Sequence, residues 1–206
     1  MASLGIRRDV LVHMEQSWGV PDEGHVFTGG PGPLARLDVL VYRPPDPTGM
    51  TSFATVGMAV GTLPCGLAQG GGGRAELWCS RRGPLDATDE GAVATRLADL
   101  VLRPWATGEP VDWGHIVPLD HDFPTFPGCP AVFLSGPLTP GGTDYIETAD
   151  GRVRIVHVVP ITEAERERAR DLPPLDTVTG LTGQADIFAP RPVELWDDTR
   201  GQPTPA

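Results

Sequence analysis

At 206 residues and 40% hydrophobic content, the chain can bury one good core and sits near the upper size for a single compact domain. Its formal net charge of -11, with no lysine anywhere, argues against a nucleic-acid partner. The only dense run of cations, Arg166, Arg168 and Arg170, is interleaved with Glu163, Glu165 and Glu167, the pattern of a solvated helix face. Cysteines 65, 79 and 129 offer neither a disulfide framework nor a CxxC pair. The apolar stretch Val10-Leu11-Val12 is too short for a signal peptide, and nothing later reaches the length of a membrane span, so a reducing cytoplasm is the expected location.

In chain order, Val10, Leu11, Met14 and Trp18 recur at helical spacing over residues 7–18, with Gly19 and Pro21 as stops. Leu37–Tyr42 is a β-rich run closed by prolines, and Phe53–Met58 is a second strand placed to pair with it as a hairpin. Leu63–Gly73 reads as a glycine-rich connector, followed by the alternating segment 74–80. Between Asp89 and Arg103, Val93, Leu97, Leu100 and Val101 share one helical face, and Pro104 is expected to close that helix.

Trp113–Leu119 leads into a proline-rich loop, Ala131–Leu134 predicts a short buried strand, and Val153–Val159 predicts another. Thr162 and Glu165 have the spacing of a capping box, which starts a helix over about residues 163–171. Residues 196–206 have little to bury and are expected to form a disordered tail. The 26 glycines and 23 prolines, with strands and helices mixed irregularly, predict an α+β domain built on a mixed, largely antiparallel sheet flanked by helices.

The chemistry-bearing groups are sparse. Gly70–Gly73 lacks the Gly-Lys-Ser/Thr sequel of a phosphate loop and precedes a strand. Ser135, in Leu134-Ser135-Gly136-Pro137, lacks the turn of a nucleophile elbow. Cys65 and Cys129 have no histidine at a diagnostic spacing. His115, Asp120, His121, Asp122 and Cys129 are the densest potential metal ligands, but they lie among prolines with no regular element to aim them, and local hydrogen bonding is the plainer reading. Trp105 and Trp113 stand next to prolines and glycines, where core packing is favoured and an interface role is the alternative.

Several segments, in order, resemble the suppressor-of-fused family in its bacterial form. These are Leu37–Tyr42, Thr55-Val56-Gly57-Met58, Arg74-Ala75-Glu76-Leu77, Gly114-His115, and Val156–Glu165 with its Pro-Ile-Thr-x-x-Glu ending; Ile187–Pro192 is a looser match. The resemblance runs over roughly residues 30 to 195 and implies one such domain over 1–195. It also implies protein binding. The animal member restrains Gli-type transcription factors, and bacterial members are thought to include immunity proteins that neutralise toxins. The animal protein has a further C-terminal region without counterpart here, so Gli binding is not carried over.

The expectation is therefore a non-catalytic binding domain without a cofactor, whose acidic surface suits a basic toxin domain. Trp105, Trp113, His115, Asp120 and Asp122 are its candidate partner-binding residues. The alternative is a small metal-dependent enzyme using the segment from His115 to Cys129.

Overall fold

The computed structural model describes residues 2–31, 33–63, 73–109, 111–138, 142, 145–184 and 186–191. The elements are α1 (Ala2–Trp18), β1 (Glu23–Thr28), β2 (Arg36–Tyr42), β3 (Met50–Val56), β4 (Ala75–Arg82), α2 (Ala87–Thr107), β5 (Ile116–Pro118), β6 (Ala131–Ser135), β7 (Tyr145–Thr148), β8 (Gly151–Ile161), α3 (Glu163–Asp171) and α4 (Pro174–Gln184). One mixed sheet runs in the order β1-β2-β3-β4-β8-β6-β5, and β7 pairs with the start of β8. Every pairing is antiparallel except that of β4 with β8. The expected α+β architecture is what the chain adopts.

Strand alternation sends successive side chains to opposite faces of this sheet. On one face, Val39, Phe53, Leu77 and Val156 meet the Val93, Leu97, Leu100 and Val101 stripe of α2. The other face is covered in two pieces. Ile6, Val10 and Met14 of α1 bury against Leu40, Ala54, Val56 and Ile155. Leu181 of α4 and Ile187 cover Phe133, Val159 and Ile161. A fully buried aliphatic side chain contributes about 1.5–3 kcal/mol, so three of them hold α1 in place. His157 shares this face with Ile155 and Val159, and therefore stands in the gap between the two covers.

The first helix begins at Ala2 and the second strand of the hairpin at Met50, earlier than the sequence reading, and three further boundaries differ for a backbone reason. The second strand ends at Val56, because Gly57 has φ 133° and a Cβ there would lie 2.8 Å from the Arg36 carbonyl oxygen. The chain instead turns through a 3-10 segment, Met58–Val60. Pro104 does not close α2, which continues to Thr107 and stops at Gly108 in the left-handed region. A proline removes the bond to the preceding turn but leaves the residues after it free to stay helical, and burial of Pro104 favours that course.

Likewise β8 passes through Pro160 to Ile161. The Arg154 amide points toward β4, bonding the Arg74 carbonyl, so the amide position of Pro160 points to the same side, away from β6. No β6 partner is lost there. The sequence reading has no counterpart for β1, β5, β7 or α4. Cys65 and Gly70–Gly72 of the connector, and the expected tail 196–206, lie outside the described residues.

Candidate binding cleft

The segments that carry the family resemblance fold into internal clamps. Glu76 is wholly buried at the centre of one. Its carboxylate accepts hydrogen bonds from Thr55 Oγ1 at 2.6 Å and from the amides of Gly57, Ala59 and Met58 at 2.8, 3.1 and 3.3 Å. Thr55 Oγ1 in turn accepts from the Leu77 amide at 2.8 Å, and Arg74 donates to the carbonyls of Ala59 and Val60. The two motifs thus grip the turn after β3 from its donor and acceptor sides together. Burial pushes the Glu76 carboxyl up to about 7, against the pull of its four donors.

A second clamp joins the distant ends of the chain's last third. Thr162 and Glu165 form the expected capping box at the start of α3, with the Thr162 amide donating to Glu165 at 2.7 Å. Glu165 also takes an ion pair from buried Arg191, which donates a further bond to the Pro160 carbonyl at 2.8 Å. At a third point Gly114, with φ 87°, packs so closely on Pro174 that a Cβ would lie 2.5 Å from its ring. These residues hold the fold together from within.

A cavity of about 360 Å³ opens on the face that α1 and α4 share. It forms because the β4–β8 ladder ends at Trp78 and His157 while both strands continue. Beyond that point segment 186–191 fills the fork, with the Arg82 amide donating to the Phe188 carbonyl at 2.7 Å. Trp18, Met50 and Phe188 stand around the opening, and Trp78, Ser52, Ser80 and His157 line its depth. Trp18 and Met50 are 37% and 40% exposed, high for such side chains beside a cavity. No charged side chain lines the cavity among the described residues.

Aromatic packing orders this site. Trp78 packs on Trp18, with centroids 4.3 Å apart, and on Tyr42, at 5.8 Å. The Trp78 indole donates to Ser80 Oγ at 3.0 Å, and Ser80 and Ser52 share a hydrogen bond of 2.9 Å across the strands. Burial depresses His157 to about 4, so its ring is neutral at physiological pH.

None of the five residues singled out from sequence lines this cleft. Trp113 is half-buried and bridges the gap between β7 and β6, its indole donating to the Ile155 carbonyl at 3.1 Å. The Arg154 guanidinium lies 4.5 Å over its ring and is paired with Asp112. Trp105 packs on the main core next to Gly61. The His115 carbonyl accepts from the Leu134 amide at 2.8 Å, while its Nδ1 is buried with no partner among the described residues.

Asp122 is exposed and accepts from the Gly128 amide at 2.6 Å, closing its own loop. Asp120 is exposed beside Arg96 and Arg103 of α2, along a separate groove. Among the described residues no three of His, Cys, Asp and Glu come together to hold a metal ion. Cys79 and Cys129 are buried, and burial pushes their thiols up to about 12 and about 11, away from the reactive thiolate. Met50 and Ser52 carry no local motif; Trp18 was marked only by its helical spacing, and His157 only as part of the Val156–Glu165 segment, with no role attached to its side chain.

A mixed sheet split into a fork, covered by helices on both faces and held by buried carboxylate clamps, defines a non-barrel α+β fold. The chain belongs to the suppressor of fused protein family, whose model matches residues 34–187. The fold is also that of solved relatives. A protein described as a suppressor-of-fused homologue from Neisseria gonorrhoeae superposes with a TM-score of 0.70 at 18% identity, over 94% of this chain and 99% of that one. The Sufu–Fu complex gives 0.61 at 15% identity over 89% and 85%, and Drosophila Suppressor of Fused gives 0.58 at 14% over 89% and 47%. At these identities the likeness shows the fold alone. No curated protein matches the sequence. Among the described residues no helix is long and apolar enough to cross a membrane.

Proposed function

We propose that this protein acts by binding another protein at the cleft bordered by Trp18, Met50 and Phe188, and that it does no chemistry of its own. The carrying observation is the pair of exposed apolar side chains, Trp18 and Met50, at the mouth of a cavity built at a fork in the sheet, with no charged side chain among its described lining residues. Tryptophan and methionine are both enriched at protein interfaces, and tryptophan in their hot spots. A structural relative solved as a Sufu–Fu complex is consistent with a scaffold used this way. The partner in this reading is a basic domain, most concretely a toxin that the protein neutralises by masking it. The net charge of -11 would draw such a partner in, with exposed Asp120 and Asp122 adding to the field.

Tagged wild-type protein and a Trp18→Ala variant, each used to capture partners from lysate of the native host at low and high salt, test this. Loss of a hot-spot tryptophan of about 2 kcal/mol weakens capture roughly 30-fold. A partner held equally by both proteins would remove the cleft from the interface. A complex insensitive to salt would remove the basic partner.

A further inference from the structure

The hydrogen-bonding capacity of the cleft defines what enters it. Ser52 and Ser80 have two hydroxyl protons between them, and one is used in their mutual bond. Ser80 already accepts from the Trp78 indole. Whichever serine donates to the other, one O–H remains to be given away. His157 reaches the same depth as a neutral imidazole with one donor and one acceptor, and neither ring nitrogen has a hydrogen bond within the described structure. The polar floor therefore offers donors and acceptors without charge, below walls made of the Trp18, Trp78 and Phe188 rings.

Charge complementarity decides between occupants. A lysine, arginine or carboxylate would lose its hydration in the cavity and find no counter-ion among the described lining residues. A phenylalanine would fill the walls and leave the serine and histidine donors unsatisfied. From the uncharged aromatic walls over this mixed donor and acceptor floor, we infer that the cleft receives a tyrosine side chain of the partner protein, its ring against Trp18 and Trp78 and its hydroxyl on the serine pair and His157. A volume of about 360 Å³ is at the low end for ligand sites and suits one large side chain. This inference rests on the cleft being the protein-binding surface. The partner's basic charge acts outside the cavity, and its anchor inside it is neutral.

The test is a two-dimensional NMR titration of the full chain, following the tryptophan indole N–H signals. The probes are p-cresol, toluene, butylguanidinium and the peptide N-acetyl-Ala-Tyr-Ala-amide. At about 0.5 kcal/mol per heavy atom, probes of this size bind with a Kd on the order of 1 mM. Expected are shifts of the Trp18 and Trp78 signals by p-cresol and by the tyrosine peptide, with p-cresol binding about fivefold or more tighter than toluene. That preference should shrink in His157→Leu and in Ser52→Ala, the second variant serving if the first disturbs the sheet.

Equal binding of toluene and p-cresol to the wild type would overturn the inference. So would tighter binding of butylguanidinium, absence of any shift, or a cavity that takes p-cresol and excludes the peptide. A failed titration alongside a partner that still depends on Trp18 would sink the tyrosine anchor alone. Partner capture indifferent to Trp18 sinks the interface itself.

Discussion

Replacing Glu76 with alanine should cost this protein about 3–5 kcal/mol of folding stability, because it strands buried donors and removes no surface contact. Three backbone amides, those of Gly57, Met58 and Ala59, lose their only acceptor in the clamp, and Thr55 Oγ1 loses its own. Each orphaned buried donor costs about 1–3 kcal/mol, and relaxation of the 3-10 turn holds the sum near the lower end. Glu76→Gln should cost less, about 1–3 kcal/mol, since its carbonyl can still serve Gly57 and Ala59 while the Thr55 hydroxyl turns to accept from the new amide.

Titration separates this clamp from simple packing. The folded Glu76 carboxyl sits at about 7, above its ordinary 4.5, so the folded state holds a proton that the unfolded chain has released. Its contribution is full below about pH 4.5 and is lost as pH rises through 7, by roughly 3 kcal/mol. Urea unfolding of wild type and Glu76→Gln at pH 5 and pH 8 measures it. The wild-type advantage over the glutamine variant should be larger at pH 5. An advantage that is the same at both pH values, or an alanine variant as stable as wild type, would refute the reasoning.

His157 titrates with the opposite sign. Its folded value of about 4 lies below the ordinary 6.5, so stability is lost as pH falls from about 6.5 toward 4, and its NMR signals should show a neutral ring down to about pH 4. This loss partly masks the Glu76 effect in wild type, which is why the variant difference is the informative quantity. Arg191→Ala leaves Glu165 buried without its cation and should cost about 3–5 kcal/mol in denaturant unfolding. Thr162→Ala, which removes only one half of the capping box, should cost about 1 kcal/mol. Gly57→Ala forces a side chain onto the Arg36 carbonyl in a strained region and should cost about 1–3 kcal/mol, read from the same curves.

Local pattern, periodic or motif-like, determined the elements whose signal lies in neighbouring residues. The α2 stripe of Val93, Leu97, Leu100 and Val101, the β2–β3 hairpin and the Thr162–Glu165 cap were legible because each depends on residues a few positions apart. The motifs around Glu76 were legible as a resemblance, but their meaning was not, since the carboxylate reaches amides 17 to 19 positions away. Strand β1, at the sheet edge, has too few buried positions to announce itself, and β7 has four residues.

The proline boundaries depended on which way an amide faces, which only strand partners fix. The cleft is the extreme case. Trp18, Ser52, Trp78 and His157 come from one helix and three strands, and they meet because β4 and β8 pair in parallel and then part. A parallel pairing joins segments far apart in sequence, so no local pattern can encode it, and the tertiary structure alone decided where this protein opens.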